Sequence, residues 1–250
     1  MKKVLIGCGV VLLVCLLICT GITVFGVVTV QNTVQKYETA GKKIDALNKS
    51  YPFTPDATGT LTPEQLDRFF QVRTFLTSDL QNDPLIKKFI DAANKGTQPN
   101  VGPLELLSFA ANYPPALMER AAAEMDRLKI SPAEYAHTAR MIYATIEQGK
   151  ATGQLPMADL YAKIEAAVDQ INNELMKNPG NAQNTVNFVR TMQDLNVGGE
   201  IPAANFEALS QFTDRILEFP QLTFFEFLLL KKMNEGGNSL PPVQLQPTTE

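Results

Sequence analysis

The chain contains one histidine, His137, and Glu134 stands three residues before it. Glu-x-x-His is half of the ligand set of a carboxylate-bridged di-metal site in a helical bundle. Such a site needs a second motif of the same kind, and no second histidine exists to complete it. His137 is therefore expected to be a structural or surface residue, and Glu134 to act at a helix start.

The remaining chemistry is equally sparse. All three cysteines (Cys8, Cys15 and Cys19) lie before residue 20, so the rest of the chain has neither a disulfide framework nor a thiol nucleophile. There is no G-x-S-x-G elbow, no S-x-x-K pair, and neither G-x-x-x-x-G-K-[ST] nor G-x-G-x-x-G to cradle phosphate. No catalytic, cofactor or metal set is assigned. A pair of acidic side chains brought together in space is the one catalytic device that leaves no local mark.

The charge balance argues against nucleic acid. Lys2 and Lys3 are the only charged residues before Lys36; removing them from 22 basic and 26 acidic groups leaves residues 31–250 with a net charge of -6. No cluster of Lys and Arg interleaved with aromatics offsets that repulsion of phosphate.

Before any of this comes a run of 27 residues, Val4 to Val30, with no ionisable side chain other than cysteine thiols. As a helix it would extend about 40 Å, enough to cross a hydrocarbon core of about 30 Å with some tilt. A cleaved signal peptide has an apolar region of only about 7–15 residues. No A-x-A cleavage site is present, and Leu5-Ile6-Gly7-Cys8 sits too near the start of the run to serve as a lipobox. The run is read as a signal anchor, a single transmembrane helix. Lys2 and Lys3 place the N-terminus in the cytoplasm, and the rest is expected outside it, periplasmic or extracellular. Within the run, Cys8, Cys15, Cys19 and Gly26 fall on one helical stripe of small residues, a candidate seam for a homodimer.

From Gln31 to Asn48, Val34, Tyr37, Ile44 and Leu47 recur at helical intervals, and the membrane helix is expected to run on into this stalk. Tyr51 to Thr60 holds two prolines and a glycine and reads as a non-helical linker. Next, Leu61-Thr62-Pro63-Glu64-Gln65-Leu66 has the grammar of a helix start: Thr62 as N-cap, Pro63 at the first position, Gln65 closing a capping box, and Leu61 with Leu66 as a staple. Ile130-Ser131-Pro132-Ala133-Glu134-Tyr135 repeats it, and Leu155-Pro156 and Ile201-Pro202 repeat its spacing. No fixed period separates the four, which argues against a solenoid.

These signals predict an all-α fold with no sheet: a single irregular bundle of about nine helices over residues 61–235, near 62–81, 84–95, 103–112, 114–129, 132–149, 157–177, 180–195, 202–218 and 221–234. Stops are expected at Asn82-Asp83-Pro84, Tyr113-Pro114-Pro115, Gly149, Asn178-Pro179-Gly180, Gly198-Gly199 and Phe219-Pro220. Residues 236–250, rich in Pro and Gln, are expected to be disordered. The most apolar stretch outside the anchor is Leu222 to Leu230. It is expected to be a core helix, with Phe224, Phe225 and Phe227 as a candidate partner or membrane-surface patch.

The domain organisation expected is thus 1–3 cytoplasmic, 4–30 transmembrane, 31–60 stalk and linker, 61–235 helical domain and 236–250 tail. The leading functional expectation is a non-enzymatic interaction or scaffold module, tethered to the membrane and bound to another envelope protein. The alternatives are a helical domain enclosing an apolar, lipid-like ligand, and a hydrolase using carboxylates on a helical scaffold.

Overall fold

The computed structural model describes residues 27–95, 100–154, 156–176, 197–198, 200–217 and 243–244. Eight helices account for most of them: α1 Val27–Ser50, α2 Pro63–Asn82, α3 Pro84–Lys95, α4 Pro103–Leu128, α5 Pro132–Thr152, α6 Met157–Met176, α7 Ala203–Ser210 and α8 Thr213–Leu217. The fold is all-helical. The one extended pairing among the described residues is two residues long: β1 (Val197–Gly198) and β2 (Val243–Gln244) lie parallel, with Val197 opposite Val243. Two residues a side make a bridge, not a layer. Val243 and Gln244 fall within the tail expected to be disordered. Helices expected at 180–195 and 221–234 lie outside the described residues.

Contacts divide the chain into two units. The first takes in residues up to Pro52, Val72–Pro132 and Asn173–Gln183; the second takes in Phe53–Gln71, Ala133–Asn172 and Asn184–Glu250.

In the first unit α1 packs along α4. Lys36 Nζ donates to Asn112 Oδ1, Lys43 Nζ reaches Glu119 Oε2 at 3.0 Å, and the Tyr51 hydroxyl donates to Asp126 Oδ1 at 2.5 Å. Positions rise together on both helices, at separations of 76, 76 and 75 residues, so the two run parallel. Buried Ala40 and Leu47 are one heptad apart, with half-buried Ile44 between them and half-buried Tyr37 and Tyr51 continuing the three- and four-residue spacing on either side. That is the spacing of a coiled-coil seam. The polar pairs are half exposed and contribute little; apolar burial along the seam does the holding.

The expected break at Tyr113-Pro114-Pro115 is absent, and α4 runs through both prolines. Each proline forfeits one backbone bond to the preceding turn. Tertiary contacts override that loss. Arg120 Nε and Nη2 both bond Asp79 at 2.8 Å, the Tyr113 hydroxyl donates to Asp79 Oδ2 at 2.9 Å, and Phe109 stacks on Tyr113. At the far end Lys129 adopts φ 56° and closes the helix with bonds from Lys129 N to Asp126 O and from Ile130 N to Met125 O. Glycine usually takes that left-handed position. Here the Lys129 ammonium is held on the Tyr51 hydroxyl at 2.9 Å. Before α3, Asp83 Oδ1 accepts from the amides of Leu85 and Ile86, so Asn82-Asp83-Pro84 ends one helix and caps the next.

In the second unit the Thr62 box closes as expected: Thr62 N donates to Gln65 Oε1 at 3.0 Å and Gln65 N to Thr62 Oγ1 at 3.2 Å. Leu61 and Leu66 are both buried. The expected stop at Gly149 is displaced to Gly153, which takes φ 67° while Gln154 N reaches back to Gly149 O. Gly149 serves another purpose. A Cβ there would lie 2.2 Å from the Cβ of Met157, so its bare backbone lets α6 approach α5.

The expected helix 202–218 is broken at Gln211–Phe212, where Phe212 N bonds Leu209 O in a tight turn. The break leaves Phe212 stacked flat on Phe70, with ring centroids 4.8 Å apart.

Candidate functional site

The second unit concentrates its polar side chains on α5. Every residue from Glu134 to Ile146 is buried, including His137, Thr138, Arg140 and Thr145. A helix buried on all faces normally reads as apolar throughout. The local signal that could have found it is the scarcity of charge, since Arg140 is the only charged residue between Tyr135 and Ile146.

Glu134 accepts from Arg68 Nη2 at 2.5 Å, joining α5 to α2 through a partly buried ion pair. Arg68 Nε and Thr138 Oγ1 are both buried without a hydrogen-bond partner. His137 packs its ring 5.1 Å from that of Phe53. Burial, with the Arg140 cation adding to it, pushes His137 down to about 4, so the imidazole is neutral at physiological pH. Burial also holds Arg140 below the usual guanidinium range. Among the described residues, no three of His, Cys, Asp and Glu converge as metal ligands. The Glu134-x-x-His137 pair is thus engaged by a cation on one side and an aromatic ring on the other.

Farther along α5, Lys150 lies over the Tyr161 ring at 3.9 Å and 3.6 Å from Glu165, linking α5 to α6. Burial raises Glu147 above the usual carboxylate range, opposed by Lys150, and burial likewise raises Tyr161. Asn205, fully buried, clamps the linker: its Oδ1 accepts from Leu61 N at 2.8 Å and its Nδ2 donates to Gly59 O at 2.9 Å. These groups tie elements together by hydrogen bonds and ion pairs.

In the first unit the feature that bears on function is the start of the α1–α4 pair. Val27 to Val30, the last four residues of the apolar run, form the first turn of α1. Among the described residues no helix is long and apolar enough to cross a membrane. Residues 4–26 lie outside them, as do Cys8, Cys15, Cys19 and Gly26 of the proposed dimer stripe and the Phe224, Phe225 and Phe227 patch.

No protein-family model matches the sequence, and neither a curated protein nor a solved structure is significantly similar to it.

Proposed function

We propose that this chain is a non-enzymatic interaction or scaffold module at the cell envelope. It is anchored by a single transmembrane helix over 4–30, with the N-terminus cytoplasmic and the helical part outside, bound to another envelope protein. One observation carries the reading: α1 takes in Val27 to Val30, the end of the apolar run, and packs in parallel along α4. A free stalk would have no partner. A stalk packed on its own domain fixes that domain close to wherever the apolar run is held. Two ion pairs on α5 join it to neighbouring helices, Glu134 with Arg68 of α2 and Lys150 with Glu165 of α6.

The test is site-specific photo-crosslinking of the full chain in intact cells. The reading predicts a discrete adduct with one membrane or envelope protein, abolished by changing the crosslinker's neighbours and not by changing His137. Adducts with cytoplasmic proteins alone would overturn it.

A further inference from the structure

Two large apolar side chains stand exposed, Leu104 at 81% and Val34 at 46%. Both fall at the same end of the α1–α4 pair. Lys36 faces Asn112; eight residues back along each helix come Val28 and Leu104. The first residue of α4, Pro103, is in turn level with Val27, the first of α1. In parallel helices of equal rise this match holds over a turn or two. The tip of α4 therefore stands at the level of the last turn of the apolar run, and Val34 sits four residues beyond that run.

We propose that the N-terminal end of α4, with Leu104 at its tip and Val34 on α1, rests in the interface of a phospholipid bilayer. The first unit is then seated on the membrane by two elements and not by the anchor alone. This rests on the reading of 4–30 as a membrane span.

Charge agrees with the placement. The first charged residue after Lys3 is Lys36, six residues past Val30, about 9 Å along the helix and within reach of lipid head groups. Glu105, next to Leu104, is paired with Lys88 at 2.5 Å, so it presents no lone negative charge to a phosphate layer. A leucine left in water at the start of a helix gains nothing there. Moved into the acyl boundary it gains the transfer free energy of its side chain.

The experiment uses the full chain in vesicles of phosphatidylcholine and phosphatidylglycerol. Three single-cysteine versions carry an environment-sensitive fluorophore: Cys15 kept alone, Leu104→Cys, and Ser50→Cys, the last two with Cys8, Cys15 and Cys19 replaced by Ala. Quenching by lipid spin-labelled at shallow and at deep positions, and by aqueous iodide, is read for each. The expected result is lipid quenching at 15 and at 104, several-fold stronger at 104 than at 50, with iodide quenching in the opposite order. If 15 is quenched by lipid while 104 is as open to iodide as 50, the tether stands and the seating is wrong. If 104 is shielded from both quenchers, protein covers it and the proposal is again overturned. If 15 is not quenched by lipid, the anchor and the seating fall together.

Discussion

Lys43 and Glu119 meet at 3.0 Å across two parallel helices, and the 76 positions between them recur between Lys36 and Asn112. That repeated separation makes the segment after the apolar run part of a folded unit. Its consequence is mechanical: a force on Val27 to Val30 acts on α4 through a heptad seam.

The middle of the seam is closed to solvent. Ala40 is fully buried. Ala40→Leu forces the helices apart and is expected to cost about 1–3 kcal/mol. Denaturant unfolding of the full chain in micelles, followed by hydrogen exchange in α1, measures it. An unchanged midpoint with unchanged exchange in α1 would contradict the packing.

Gly149 makes the sharper steric prediction. Gly149→Ala sets a new Cβ against the Cβ of Met157 at 2.2 Å. The expected loss is again about 1–3 kcal/mol. Met157→Ala in the same chain should not restore it, because the collision is with an atom that alanine keeps. Recovery in the double variant would mean that α5 and α6 are not held as close as described.

Asn205 clamps the linker at two points of its backbone. Asn205→Ala strips bonds from Gly59 O and Leu61 N, both supplied by one fully buried side chain. Leaving two buried polar groups unpaired costs about 2–4 kcal/mol. Asn205→Asp keeps the acceptor for Leu61 N and turns the donor into a second acceptor facing Gly59 O. It should therefore be destabilised as well, and increasingly as pH rises through the carboxylate range. Thermal unfolding of the two variants across pH separates them.

The sequence foretold features of this fold that are written locally and missed those that are written across distance. The Thr62–Gln65 box, the buried Leu61 and Leu66, and the change of helix at Asp83-Pro84 depend on residues within six positions, and each is found. Pro114 and Pro115 read as a stop because proline breaks an isolated helix. Asp79, more than thirty positions earlier, and α1 hold the turn together instead. Gly149 reads as a stop for the same local reason, and its actual role is set by Met157. Nothing near Asn205 or Arg68 announces a partner, since Gly59 is 146 positions from Asn205 and Glu134 is 66 from Arg68. The candidate site was legible as an apolar run and a stalk. That the stalk docks on α4 in parallel was not, because a heptad seam names its spacing and not its partner.

The buried imidazole gives a pH signature with a definite sign. His137 is lowered to about 4 from an ordinary value of 6.5, chiefly by burial and then by Arg140. Between those values the unfolded chain binds a proton that the folded chain does not. Stability is therefore full above pH 6.5 and falls as pH drops toward 4. The expected loss between pH 7.5 and pH 5 is about 2 kcal/mol. Urea unfolding at the two pH values measures it, and His137→Leu should flatten the difference whatever its absolute stability. An equal loss in the variant would assign the slope to other groups.

The central claim is that the apolar run holds this helical protein in a membrane, and alkaline carbonate washing of membranes from cells making the full chain tests it most directly. The account predicts the chain in the pellet, with intact mass showing Val4 to Val30 still attached. Recovery in the wash, or a mature chain beginning downstream of Gly26, would contradict it.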